Sequence, residues 1–397
     1  MLAEHKLVGI IHEHRWNLDG SSWGGFALYP VNLRESIFKQ NANNPLSELV
    51  MSGDKIAASL PLLKKPKSRY VRFLSKKFLG NQENTMKQIK KVLAEYDPAK
   101  GTILYHQMNS FAIPSKEILE LSNYFNVRLV STLVDLQDQV LPQHFSAKEI
   151  SDRMGAYEIN FHHASHIISI SEFLVPQISY YLDIEASNVT PAPLGHEHFS
   201  TRESEASIRK RIPFGSEYVL FPAKSWKHKG HLGYLNELIR TKPDLRTVFV
   251  GDLSTIENQL EDLRKDDYIN ENCLFLNYVT DGEFKFLLEN ASAMVLPTEY
   301  EGFGLPYLEA AVSRVPVITF ETEAALEILG KKGALFAPIN DFKKIVINTL
   351  SVINGNNEEM LNEAQARAKE FTWNETARLT LEGYKKALLK MNEQLNA

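Results

Sequence analysis

Short apolar runs rich in β-branched residues recur along the chain and alternate with segments whose apolar positions follow a helical spacing. Runs of the first kind are Lys6–Ile11, Thr102–Tyr105, Val127–Leu133, His166–Ser169, Tyr218–Phe221, Arg246–Val250, Ala293–Leu296 and Val317–Phe320. Their length and composition predict buried strands. Segments of the second kind include the stretch carrying Leu33, Ile37 and Phe38, then Lys116–Asn123 and Leu232–Arg240. A further helix begins near Pro306, and a long one runs from Trp373 through Leu379, Leu381, Tyr384 and Leu388. Ser171 stands where an N-cap would open the helix after His166–Ser169. Strands alternating with helices predict an α/β chain, with doubly wound parallel sheets covered by helices. Ligands of such sheets gather beyond the carboxyl ends of the strands.

At 397 residues the chain is too long for one ordinary core and predicts two domains. A composition 44% hydrophobic and 23% charged is that of a folded globular protein, and a net charge of −5 gives no general attraction to nucleic acid. The single cysteine, Cys273, excludes an internal disulfide and fits a reducing compartment. The chain opens without a basic region followed by an apolar core, and no run approaches the roughly 18–20 apolar residues that span a bilayer. A soluble, cytoplasmic protein is expected. One segment changes this picture. Within residues 64–91, Lys64, Lys65, Lys67, Arg69, Arg72, Lys76, Lys77, Lys87, Lys90 and Lys91 face one acid, Glu83, with Tyr70, Phe73 and Phe78 interleaved. Such a segment suits peripheral contact with an anionic membrane surface; the plainer alternative is a solvated insertion.

The richest chemistry lies between the strand Ala293–Leu296 and the helix near Pro306. Gly302 and Gly304 flank Phe303, so the backbone can bend and approach a ligand closely. The amides around Gly304 and Leu305 open a helix, a natural phosphate cradle. Glu301 lies in the loop and Glu309 eight positions later, in the first helical turn. A carboxylate can accept both hydrogen bonds of a vicinal diol. One acid for a ribose, one for a hexose and amides for a diphosphate describe a nucleotide-sugar site. A lone pair of acids at this spacing would only be a favourable acidic helix start; the strand, the glycines and the proline favour the site.

Other candidates surround it. Lys224 and Lys229 lie five apart in the loop after Tyr218–Phe221, where two cations would offset a diphosphate and stabilise it as a leaving group without a metal. His106 and Asp135 fall at strand ends in the first half. Gly24 and Gly25 close a glycine-rich turn after the first strand. The sequence contains no D-x-D run, no i,i+4 histidine pair with Glu support and no Walker A loop.

Glu301-Gly-Phe-Gly-Leu-Pro-Tyr-Leu-Glu309 resembles the E-x7-E signature of family-4 retaining glycosyltransferases of the GT-B fold. The resemblance implies two Rossmann-like domains facing across a cleft: an acceptor domain over residues 1–200, a nucleotide-sugar domain over 201–371, and a final helix, 372–397, returning to the first. It places Glu301 by the transferred sugar, Glu309 on the ribose, and Phe303, Gly304 and Leu305 around sugar hydroxyls and diphosphate. Gly251 and the pair Tyr278 and Val279 resemble the segments beside the nucleotide base, and Gly24 and Gly25 the loop near donor phosphate and acceptor. Lys229 matches the family's phosphate lysine, while Lys224 replaces a usual arginine. Val134-Asp135-Leu136-Gln137 resembles an H-D-L-Q segment, with Val134 in place of the histidine, Asp135 retained, and His106 an available acceptor-side group. His166–Leu174 and Val189–Gly195 resemble the end of the first domain, and Ser200–Arg211 reads as an interdomain linker.

The implied reaction moves a hexose from a nucleoside-diphosphate sugar to a hydroxyl of a glycan or lipid-linked acceptor, retaining anomeric configuration and requiring no metal or other cofactor. The Trp226-Lys-His228-Lys229 order resembles transferases of O-antigen and related surface polysaccharides, favouring GDP-mannose over a UDP-sugar. Two alternatives stand beside it: a GT-B nucleotide-sugar epimerase, and a non-catalytic nucleotide-sugar-binding homologue.

Overall fold

The computed structural model describes residues 7–14, 25–40, 47–52, 55–57, 102–108, 127–213 and 217–395. Gly24, the predicted helix Lys116–Asn123 and the basic residues 64–91 lie outside the described residues. The chain divides into two compact units, Met1–Leu194 with Trp373–Ala397, and Gly195–Thr372.

The first unit is built on seven strands: β1 (Leu7–His14), β2 (Ser47–Ser52), β3 (Lys55–Ala57), β4 (Thr102–Gln107), β5 (Val127–Leu133), β6 (His166–Ser169) and β7 (Val189–Pro191). They lie in the order β3-β2-β1-β4-β5-β6-β7. All neighbours are parallel except β3, which folds back antiparallel on β2. Gly25 opens the Gly25–Gln40 helix. Ser171 does not cap a helix. The helix there begins at Leu174, and the Ser169 hydroxyl donates to the Ser171 carbonyl at 2.5 Å, closing the turn between strand and helix.

The 23-residue helix Trp373–Leu395 packs on this sheet. Polar contacts help fix it: Thr376 Oγ1 donates to the Pro193 carbonyl at 2.5 Å, Lys386 Nζ to Thr190 Oγ1 at 3.2 Å, and Tyr384 Oη lies 2.7 Å from His106 Nδ1. Its other ring nitrogen is 2.7 Å from Thr132 Oγ1, which also meets Tyr29 Oη at 2.9 Å. His106, fully buried, is therefore a core pin joining two strands and two helices. The acceptor-side role expected for it is corrected, since both its ring nitrogens are engaged away from solvent.

The second unit contains β8 (Val219–Pro222), β9 (Thr247–Val250), β10 (Cys273–Leu276), β11 (Ala293–Leu296), β12 (Val317–Phe320) and β13 (Leu335–Ala337). Their order is β10-β9-β8-β11-β12-β13 and every pair is parallel. β9, β11 and β12 are buried along their whole length, so they read as unbroken apolar runs instead of alternating ones. The order reverses between β8 and β11, the switch point beyond whose carboxyl ends ligands of such sheets gather. Ser200–Arg211, expected as a linker, is part of this unit. Ile208 is buried, Glu205 N–H donates to the Gly282 carbonyl at 3.0 Å, and Thr280 Oγ1 donates to the Glu205 carboxylate at 3.1 Å.

Candidate active site

The β8 and β11 loops are knitted together at this switch point. The β8 loop makes one short turn, Lys227–Lys229, and ends at Gly230 in the left-handed region, φ 76°. A Cβ on Gly230 would lie 2.4 Å from the Pro297 carbonyl oxygen, so only glycine allows the two loops this approach. Glu299 N–H then donates to the His228 carbonyl at 2.8 Å, and Lys229 Nζ contacts Glu301 Oε1. Side-chain exposure is only 12% for Lys229 and 13% for Glu301, so the pair sits largely out of water, where charge interactions strengthen. A Gly230→Ala variant is expected to lose at least about 2 kcal/mol of stability from backbone conformation and overlap. Thermal unfolding measures it.

Below the loop, His231 is buried against Phe221 and Phe249, ring centroids 4.5 and 6.3 Å away. Its Nε2–H donates to the Ala223 carbonyl at 3.2 Å, while Nδ1 is buried without a partner, which defines the neutral tautomer. Burial holds its pKa down, from 6.5 to about 4. Between those values the unfolded chain binds a proton that the folded chain does not. The stability contributed by neutral His231 is thus complete above about pH 6.5 and lost as pH falls towards 4. At 1.36 kcal/mol per unit, the span is worth ~3 kcal/mol. A His231→Leu variant should show a shallower fall of the urea midpoint from pH 6.5 to 4.5 than the parent.

Lys224 stands five positions earlier in the same loop. Its ammonium lies 5.8 Å from the Trp226 ring centroid, and it adds to the pull that holds the Asp252 carboxyl low, mostly the work of the Ser254 N–H. Trp226 is 41% exposed. The loop is stapled to the one after β9 by Ser225 N–H donating to the Asp252 carbonyl at 2.8 Å and by Ser225 Oγ, 2.7 Å from Thr255 Oγ1. Gly251 N–H is taken by the carbonyls of Leu276 and Asn277, at 3.2 and 3.1 Å. Any base contact at Gly251 must therefore come from close approach, not from its amide. Tyr278 is 72% exposed and Val279 buried, just before a capping box in which Glu283 N–H donates to Thr280 Oγ1 at 3.1 Å.

The helix after β11 runs Leu305–Val312, with Gly304 as N-cap at φ 100° and Pro306 as the second helical residue. The N–H groups of Phe303, Gly304 and Leu305 have no protein acceptor among the described residues, so they remain donors at a helix start. Tyr307 donates to Thr319 Oγ1 at 2.8 Å, because Thr319 spends its own proton on the Leu296 carbonyl, also at 2.8 Å. That anchors the helix to the sheet. Glu309 is not in the first turn, as expected from sequence, but one position beyond it, buried, with Oε1 3.3 Å from His198 Nε2. His198 escaped sequence reasoning. Its only signal is the His196-Glu197-His198 cluster following Gly195.

In the first unit, Val134 is buried and Asp135 nearly so at the end of β5. Arg153 NH1 lies 3.9 Å from Asp135 and 3.2 Å from Asp138. Burial, and then the charges of Asp135 and Asp138, push the Tyr157 phenol far up, so it stays protonated and donates to Asp138 at 2.6 Å. Asp135 is thus held in a polar cluster of its own unit, while Lys224, Lys229, Glu301 and Glu309 all belong to the other. Among the described residues no three His, Cys, Asp or Glu side chains are grouped to hold a metal ion, and no helix is long and apolar enough to cross a membrane.

Comparison with known proteins fits this geometry. The chain is 34% identical over 113 residues to O-antigen chain mannosyltransferase B of Escherichia coli, covering 28% of this chain and 29% of that protein. It is 24% identical over 247 residues to serotype-specific mannosyltransferase WbdA of the same organism, covering 59% and 30%. The chain thus spans less than a third of the length of these two relatives. Anabaena Alr3699/HepE, solved in complex with UDP and glucose, superposes with a TM-score of 0.63 over 94% of this chain and 99% of its own, at 15% identity. The fold is GT-B, and residues 203–383, which carry the Lys229–Glu301 and His198–Glu309 contacts in all but His198, match the family described as glycosyl transferases group 1.

Proposed function

We propose that the protein is a retaining glycosyltransferase that moves a hexose from a nucleoside-diphosphate sugar to a glycan or lipid-linked hydroxyl without a metal ion. The observation that carries this is Lys229 meeting Glu301 at the point where the strand order of the second unit reverses, beside the unpaired amides of a helix start. As the bond from C1 to the diphosphate breaks, negative charge grows on the leaving oxygen. Lys229 and the Phe303–Leu305 amides stabilise that charge more than they stabilise the bound donor, which lowers the barrier. Lys224 supplies a second cation from the same loop. Glu301 accepts from a sugar hydroxyl and Glu309 from the ribose. The acceptor oxygen bonds to C1 on the face the diphosphate leaves, and its proton passes to the departing phosphate, so configuration is retained.

The relatives named mannosyltransferases favour a mannosyl donor, and the name O-antigen chain mannosyltransferase B favours surface polysaccharide as the product. Peripheral membrane contact through residues 64–91 belongs to the same proposal, since a lipid-linked acceptor sits at a membrane face; Asp135 is assigned to the acceptor side. The full chain is to be incubated with GDP- and UDP-hexoses under chelator, with and without a glycan acceptor, and products followed by NMR. Acceptor-dependent transfer with the donor's anomeric configuration supports the reading. A new sugar nucleotide formed from donor alone would make the protein an epimerase, and binding without turnover on any acceptor would make it a non-catalytic binder, as the buried Val134 in place of a histidine would suit.

A further inference from the structure

We infer that His198 is a positioning residue for the nucleotide ribose: it fixes one oxygen of Glu309 so that the other faces the ribose diol. The inference rests on the nucleotide-sugar reading above and adds a residue to it.

His198 and Glu309 lie 111 positions apart in sequence, yet their side chains meet at 3.3 Å with exposures of 3% and 7%. The ring is fixed from several sides. Nδ1 is 3.1 Å from the Gly195 carbonyl, which accepts the Nδ1 proton. On one flank, His196 N–H donates to the Phe371 carbonyl at 3.1 Å, and the Phe371 ring meets Phe303 edge-on at 5.7 Å. On the other, Phe199 packs edge-on against Phe284 at 6.0 Å, and Lys285 Nζ donates to the Phe199 carbonyl at 3.1 Å. The segment holding His198 is thus clamped between the glycine-rich loop and the Asp281–Glu289 helix.

The donor inventory makes this contact informative. A neutral imidazole has one N–H, and Nδ1 already gives it to Gly195. The Nε2 contact with Glu309 is therefore a hydrogen bond only with a further proton between ring nitrogen and carboxyl oxygen. That bond consumes Oε1. Glu309 Oε2 has no hydrogen-bond partner among the described residues, although the side chain is nearly buried. That oxygen is left to accept from water or from a ligand. A vicinal diol brings two hydroxyl donors, and with Oε1 anchored the carboxylate plane is set before the ligand arrives, which spares the cost of ordering it on binding.

The test compares affinities of the full chain for a nucleoside diphosphate and for its 2′,3′-dideoxy analogue, in the parent, His198→Phe and His198→Gln. Phenylalanine keeps the ring but has no donor; glutamine offers an amide N–H near the place of Nε2. The parent should favour the ribonucleotide by at least tenfold. His198→Phe should bring that ratio to within about threefold of unity while leaving dideoxy affinity little changed, and His198→Gln should restore most of the ratio. A merely structural role would weaken both nucleotides together. A parental ratio retained in His198→Phe overturns the inference, as does a parent that binds nucleotides without discriminating the ribose. A parent that binds no nucleoside diphosphate overturns the site itself. If the phenylalanine variant does not fold, His198→Asn, too short to reach Oε1, takes its place.

Discussion

Replacing Lys229 with methionine is expected to lower kcat by about 10²–10³-fold, ~3–4 kcal/mol of transition-state stabilisation, the scale found for losing one preorganised charge donor. Methionine keeps the apolar stem but removes the cation, and two consequences follow. The departing diphosphate loses the fixed positive charge assigned to it, an interaction that matters most as the bond breaks. Glu301, 13% exposed, loses the partner that offsets its burial, and an uncompensated buried charge costs several kcal/mol. Glu301→Gln, which leaves the sugar hydroxyl a weaker acceptor, should chiefly lower turnover as well. Because the two side chains act as one pair, the Lys229→Met/Glu301→Gln double variant should be far less impaired than the product of the single losses. Release of nucleoside diphosphate at saturating acceptor gives kcat for all three. Additive losses would mean that the contact between them has no part in turnover.

The second large effect is on binding. Glu309→Ala removes the acceptor assigned to the ribose hydroxyls, a charged hydrogen bond worth about 1.5–3 kcal/mol, so affinity for the nucleoside diphosphate should fall roughly 10- to 150-fold. Turnover at saturating donor should change much less, since the ribose is bound alike in the ground state and the transition state. A loss confined to kcat would reverse the roles assigned to the two glutamates.

The strands of the second unit were legible because β8, β9, β11 and β12 are buried on both faces and read as plain apolar runs. β10 and β13 were not foreseen: both are only partly buried, so neither a plain buried run nor a clean alternation stands out. The E-x7-E stretch was legible because its chemistry is local, all within one strand–loop–helix. What remained hidden depends on contacts distant in sequence. The Lys229–Glu301 pairing spans 72 positions and rests on a left-handed glycine, and the His198–Glu309 contact spans 111. His106 misled for the same reason. A histidine at a strand end looks like a ligand until Thr132 and Tyr384, the latter 278 positions away, are seen to take both its nitrogens. Ser200–Arg211 looked like a tether because its residues are polar, yet one buried isoleucine and the backbone bond at Glu205 fasten it to the second unit.

Calorimetric titration of the full chain with intact GDP- and UDP-hexoses under chelator, beside Lys229→Met, tests the central claim most directly. Saturable binding of at least one such donor by the parent without added metal is expected, with affinity in the variant falling by less than its kcat does. A parent that binds none of these donors, or binds only when a divalent cation is restored, would contradict the central claim.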